Sequence, residues 1–170
     1  MWDVSPLVLE PRPITDDRHF RDVLGHFGSG VVVVTAMDED GPVGFSCQSF
    51  SSVSLDPPLV TFLPSRGSSS YPRIRRAGCF GVNILAEGQQ DLCQQMSRSG
   101  TDKWAGVDWT ASEGGAPIIA GSHAFIDCTL ESEIEAGDHF IVLGRVRSVA
   151  THPATAPLMF HRGSYSRLAG

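Results

Sequence analysis

The stretch AFIDCTLESEIEAGDHFIVLGRVRS, residues 124–148, decides the fold. Ala124, Ile126, Cys128 and Leu130 alternate with Phe125, Asp127, Thr129 and Glu131. That period of two belongs to a strand with one buried face. After Gly137-Asp138, His139 to Ser148 reads as a second long strand. Working outward, Val31 to Ala36 is a β-branched run, and Asp38-Glu39-Asp40-Gly41 is a turn that sends the chain back through Val43, Gly44 and Phe45. Val53 to Leu55 and Leu59 to Leu63 flank Asp56-Pro57-Pro58, prolines that cannot sit inside a sheet. Phe80 to Leu85 is a further strand, and Leu158 to Tyr165 a last, interrupted one.

Helical patterns are few and short. Thr15 can cap a helix with Asp16 and Asp17 in its first turn and an apolar stripe at Phe20, Val23, Leu24 and Phe27, stopped by Gly28 and Gly30. Tyr71 to Arg76 opens at Ser70 with Pro72 in its first turn, and a third helix covers roughly 87–97. Strands that do not alternate with long helices argue against a doubly wound parallel sheet. The expectation is a mainly β (α+β) domain, an antiparallel barrel closed on itself with a few helical insertions. Residues 1–14, with Pro6, Pro11 and Pro13, read as an extended arm, and 15–170 as one domain. Residues 98–122, rich in Gly, Ser and Asp around Trp104 and Trp109, read as a long loop, and loops of that length are often functional.

The 170 residues, 41% hydrophobic and 19% charged, suit one globular domain and exclude a disordered chain. Thirteen Lys+Arg against nineteen Asp+Glu leave a net charge of −6, which argues against non-specific nucleic-acid binding. No apolar stretch is long enough for a bilayer-spanning helix, and the N-terminus lacks a secretory pattern, so no membrane association is expected. Cys47, Cys79, Cys93 and Cys128 are 32, 14 and 35 positions apart, which excludes CxxC motifs and suggests reduced thiols in a cytoplasmic protein. His19, His26, His123, His152 and His161 are scattered without ligand spacing, so no metal site is expected.

Three segments could carry chemistry. Residues 44–58 place Ser46, Cys47, Gln48, Ser49, Ser51, Ser52, Val53 and Ser54 at a strand exit before the proline turn. They offer hydroxyls, an amide and backbone N–H groups to a polar, planar ligand, or they form a Ser-rich surface loop. In residues 65–72, Arg66, Ser68, Ser69 and Ser70 at a helix start form a phosphate cradle or an ordinary serine cap. His139, at a strand start, contacts a cofactor or substrate, or is a hydrogen-bonded turn residue. No GxSxG, Walker or GxGxxG motif is present.

Taken in order, these segments resemble a known family. Gly30–Thr35, Gly44-Phe45 through Leu55-Asp56-Pro57-Pro58, Gly78–Leu85, Asp102-Lys103-Trp104-Ala105-Gly106, Gly137-Asp138-His139 and Pro157-Leu158 to Gly163-Ser164-Tyr165 are similar to the short-chain flavin reductases. These are the NAD(P)H:flavin oxidoreductase components of two-component aromatic monooxygenases. Residues 43–50 most resemble the branch that serves actinobacterial steroid-ring hydroxylases.

The resemblance implies an FMN-binding split β-barrel that uses FMN or FAD with NADH or NADPH. It also implies a homodimer and a partner monooxygenase that receives reduced flavin. By the same resemblance, Ser46, Cys47, Gln48 and Ser49 hold the ring and ribityl chain, and Ser52 and Val53 continue that wall. Arg66, Ser69 and Ser70 receive the phosphate, His139 stands where nicotinamide docks, and Tyr165 lies near the same mouth. Gln48 departs from the Asn or Ser of many relatives, and Met96 replaces a commonly aromatic residue, for which only a packing change is expected. Competing readings are a flavin-binding barrel without reductase turnover, a pyridoxamine-phosphate-oxidase-type activity, and a purely structural domain.

Overall fold

A computed structural model describes residues 9–100 and 102–168. In chain order its elements are α1 (Asp17–Leu24), β1 (Ser29–Gly30), β2 (Val32–Asp38), β3 (Gly41–Cys47), β4 (Ser51–Leu55), β5 (Pro58–Phe62), α2 (Tyr71–Ala77) and β6 (Cys79–Ile84). They continue as α3 (Gln90–Ser97), β7 (Trp109–Ala111), β8 (Pro117–Ile119), β9 (Ala124–Ala136), β10 (His139–Thr151), β11 (Met159–His161) and β12 (Ser164–Ser166). Most of the proposed arm, residues 1–8, lies outside the described residues; residues 9–14 carry no regular structure.

The 124–148 stretch forms the long hairpin β9–β10, paired from His139 opposite Ala136 to Thr151 opposite Ala124. It is the spine of a seven-stranded antiparallel sheet in the order β3-β2-β6-β9-β10-β5-β4. No ladder joins β3 to β4 among the described residues, so the barrel is split along that seam where closure was expected. A three-stranded sheet, β1-β11-β12, and the β7–β8 hairpin complete the β structure. None of the described helices is long and apolar enough to cross a membrane.

The run from Val31 to Ala36 is buried throughout because it serves two cores. Val32, Val34 and Ala36 pack with Phe62, Tyr71, Ile74, Phe80 and Val142, while Val31 and Val33 pack with Leu85, Cys93, Met96, Ile119 and Leu158. A strand covered on both faces gains nothing from alternating polar residues, which explains the unbroken valines. Gly144 lets an aromatic ring lie on the backbone: a Cβ there would sit 2.4 Å from Phe80 Cζ, far inside van der Waals contact.

The polar-looking face of β9 is not the solvated one its period suggested. Phe125 and Asp127 are buried, because the segment 98–122 is not one open loop but carries the β7–β8 hairpin, which covers them. Asp127 accepts hydrogen bonds from Ser112 Oγ at 3.0 Å and Gly114 N at 3.1 Å. Asn83 holds the other strand of that hairpin, donating to Pro117 O at 3.2 Å and accepting from Ile119 N at 2.8 Å. Buried polar groups with partners on another element specify where that element docks.

The helices also differ in detail from expectation. Asp16, not Thr15, caps α1, accepting from His19 N at 2.7 Å, and the helix closes at Gly25, short of Gly28. Its apolar stripe is uncovered: Phe20, Val23, Leu24 and Phe27 are all exposed. The third helix begins at Gln90, after a turn at 87–89.

Candidate functional site

The seam between β3 and β4 opens into a cleft of about 400 Å³. Edge strands present main-chain N–H and C=O groups that no neighbour takes, so a sheet that stops here offers polar backbone to a ligand. Ser46, Cys47, Gln48 and Ser49 line one wall at the end of β3. The 65–70 turn forms another, with Ser68, Ser69 and Ser70, and His139 stands on the first residue of β10. The end of α3 and the segment after it add Met96, Ser97, Ser99 and Lys103.

Ser49 is committed to structure. Extending the Ser51–Thr61 register by two residues brings Ser49 opposite Leu63. There its hydroxyl donates to Leu63 O at 3.2 Å and accepts from Leu63 N at 3.1 Å, where main chain would otherwise pair. Burial pushes the Cys47 thiol up to about 12, so it remains a neutral, unreactive thiol at physiological pH.

Ser70 opens α2 without capping it through its side chain; its hydroxyl donates to Gly44 O at 3.2 Å. Ser68 makes the capping contact instead, accepting from Tyr71 N at 3.1 Å. His139 Nδ1–H donates to the Asp138 carboxylate at 2.7 Å, which fixes the tautomer and leaves Nε2 free. That contact holds the Asp138 carboxyl below its usual range.

Four residues implied by the resemblance lie away from this cleft. Ser52 and Val53 sit on exposed edge strand β4, Val53 in a bulge between Ser52 and Ser54. Arg66 stands between two cleft residues, but its guanidinium lies 3.7 Å from Glu135 and over the Phe140 ring at 6.0 Å. Tyr165 packs in the second core, edge-on to Phe160 at 5.2 Å, with its hydroxyl 3.3 Å from Cys93 Sγ. Burial and that sulfur push its phenol up to about 12.

Among the cleft residues that the sequence reading gave no role, Met96 and Lys103 stand out. Met96, expected only to repack, is fully buried in the second core and also floors the cleft. Lys103 was legible only as part of the Asp102-Lys103-Trp104 motif. Its side chain is half-buried and its Nζ donates to Gly44 O at 3.3 Å and Ser70 Oγ at 3.4 Å. Burial lowers its pKa from the ordinary lysine value.

In a chain of net charge −6, no Asp or Glu lines this cleft, and its two ionisable basic groups are Lys103 and His139. Hydroxyls, an amide and one ammonium without a facing carboxylate match a polar planar ring that carries an anionic tail. The donor set therefore fits a flavin phosphate. Fold and cleft together define a split-barrel protein that binds a planar, phosphorylated cofactor.

The comparisons agree. Residues 24–169 match the sequence profile of the flavin reductase like domain. The chain is 50% identical over 151 residues to the reductase subunit HsaB of a flavin-dependent monooxygenase from Rhodococcus jostii, covering 89% of this chain and 77% of that one. It is 47% identical over 159 residues to a flavin reductase of Pseudomonas putida, covering 93% and 94%. Among solved structures, an NADH:FAD oxidoreductase of Streptomyces globisporus, in complex with NAD and FAD fragments, superposes with a TM-score of 0.87 at 35% identity, covering 93% of this chain and 98% of that one. The chain belongs to the flavin reductase like family. The fold implied by the family resemblance, a mainly antiparallel split barrel with short helices, is the one observed.

Proposed function

We propose that this protein is an NAD(P)H:flavin oxidoreductase that hands reduced flavin to a partner monooxygenase. One observation carries the reading: a hydroxyl-rich cleft at the split seam, with no carboxylate in its lining, gathers Ser46, Cys47, Gln48, Ser69, Ser70 and His139 from three separate stretches of chain. Bound flavin, FMN or FAD, supplies the two-electron chemistry by accepting hydride from a nicotinamide laid against it.

The protein's part is to position and to exclude. Ser46, Gln48 and the main chain of β3 orient the ring and ribityl chain, while Ser69 and Ser70 face the tail. The neutral Cys47 thiol adds bulk without nucleophilic reactivity. His139, tethered through Nδ1, presents a fixed edge to the nicotinamide side. Bringing the reacting atoms to about 3–3.5 Å accounts for several kcal/mol of barrier with no side chain acting as acid or base. NADH and NADPH consumption with and without added FMN or FAD tests this reading. Flavin-dependent loss of reduced-nicotinamide absorbance supports it, and flavin binding without turnover sinks it.

The relatives described as monooxygenase reductase subunits support an oxygenase partner. The exposed stripe Phe20, Val23, Leu24 and Phe27 supports a second copy of this chain as the cover of α1, which sedimentation of wild type and Phe27→Asp checks. Four free cysteines suit a reducing, cytoplasmic setting.

A further inference from the structure

The segment 102–107 brings Lys103 into the cleft wall, yet it belongs to no helix or strand. Irregular segments open readily unless their main chain is tied down. Here Trp104 N donates to Asp102 Oδ1 at 3.0 Å, and Trp104 O accepts from Val107 N at 3.1 Å. Both bonds stay within the segment. The tie to another element comes from Gln95 on α3, whose Nε2 donates to Lys103 O and to Ala105 O, each at 2.9 Å. Only the nitrogen end of an amide can donate, so both protons of Gln95 are spent on the two residues that flank Trp104.

The side chains held this way converge on one residue of β3. Lys103 Nζ donates to Gly44 O at 3.3 Å. The Trp104 ring lies on the same glycine: a Cβ there would meet Trp104 Cζ2 at 3.2 Å. Gly44 stands two residues before Ser46, where β3 becomes the wall of the cleft. Gln95 itself does not line the cleft; it stands behind the segment, beside Leu92 and Val107.

A second glutamine gives the contrast. Gln89, just before α3, accepts from Ala86 N and donates to Ala120 O, each at 2.9 Å, and its side chain bonds no residue of the cleft. Its bonds staple the fold, whereas those of Gln95 end on the cleft wall. The carbonyl of exposed Ala105 and that of half-buried Lys103 can turn to water if the amide is removed, so the loss falls on position more than on stability.

We propose that Gln95 is a positioning residue for flavin: its amide braces the 103–105 turn against α3 and so fixes the wall that Lys103 and Trp104 build on Gly44. The assignment rests on the flavin-reductase reading and adds to it a residue outside the cleft.

Three variants test it. Gln95→Met keeps the length and loses both donors; Gln95→Glu keeps the shape and, ionised at neutral pH, has no proton to give; Gln95→Arg restores N–H donors. In hydrogen–deuterium exchange without flavin, the Met and Glu variants are expected to exchange about tenfold faster across 102–107, with the remaining peptides at wild-type rates. Their thermal midpoints should stay within about 2 °C of wild type. In NADH turnover their KM for flavin is expected to rise about fivefold with kcat unchanged, the pattern of lost binding without lost chemistry. Gln95→Arg recovers most of both effects, and Gln89→Met moves neither.

Wild-type exchange and flavin KM in Gln95→Met overturn the proposal, as does a Gln89→Met variant that matches it in both. Faster exchange throughout the chain with a midpoint several degrees lower also overturns it, because Gln95 would then be a structural residue only. Exchange that responds as expected in a protein that turns over no flavin leaves the brace standing and overturns the functional reading beneath it.

Discussion

Two basic regions border β3, and they are wired in opposite ways. On α2, each arginine meets an acid: Arg73 reaches Asp38 at 2.6 Å and Arg76 reaches it at 2.5 Å, while Arg75 pairs with Glu133 at 2.8 Å. Arg75 also covers the Tyr71 ring, whose hydroxyl donates to Glu133. In the cleft, Lys103 meets none. Charge neutralised within the fold fastens α2 over the first core; charge left open is available to a ligand. The residue type matters too, because the planar guanidinium of arginine makes the forked contacts that lock Asp38, whereas an ammonium is a point donor with capacity to spare.

Breaking the paired side gives the largest expected effect. Asp38→Ala removes a side chain only 3% exposed and leaves Arg73 without a carboxylate and Arg76 with only Asp40, at 3.4 Å, so the thermal midpoint is expected to fall by several degrees in a calorimetric melt. An unchanged midpoint would mean that apolar packing alone seats α2. On the open side, His139→Ala is expected to raise the NADH concentration needed for half-maximal reduction about tenfold, equivalent to about 1.4 kcal/mol. Flavin affinity should stay within twofold, so a stopped-flow series that shows no change across NADH concentrations would remove His139 from the nicotinamide side.

Acid pH sharpens the same contrast. The Arg73 hydrogen bond, aided by Arg76, holds the Asp38 carboxyl well below the ordinary carboxylate range. A folded value below the unfolded one, about 3.9, gives stability that is complete above that pH and drains away as pH falls toward the depressed value. Wild type should therefore hold its midpoint from neutrality to about pH 5 and lose it below about pH 4, and Asp38→Ala should lack that component of the acid limb. The smallest effect belongs to Tyr165→Phe, which removes one hydroxyl–sulfur contact and is expected to cost no more than about 1 kcal/mol in a urea titration. Flavin affinity should not move; a clear loss would bring Tyr165 to the mouth, as the family resemblance implies.

Much of the fold was legible because backbone periodicity and turn residues are local. The β9–β10 pair, the Asp38–Gly41 turn, the proline turn before β5 and the Tyr71–Ala77 helix could be read with no knowledge of neighbours. What covers a face is not local. Nothing in Asp127 or Phe125 announces that a hairpin from residues 109–119 lies on them, so a buried carboxylate passed for a solvated one. Ser70 passed for a cap because its position fits one, while Ser68 makes the bond and Ser70 turns to Gly44. Lys103 was legible as a letter in a motif, but its lack of a counter-ion is a property of three-dimensional neighbours. The cleft residues Ser46 to Ser49, Ser69, Ser70 and His139 did come together, since strand ends and tight turns converge wherever a barrel opens.

The double contact between Ser49 and Leu63 fixes one side of that opening. A hydroxyl that both gives and takes acts as a rivet between the β3–β4 connection and the end of β5, so the chain is pinned where the two strands part. A slot braced in this way is ready for a flat guest before one arrives.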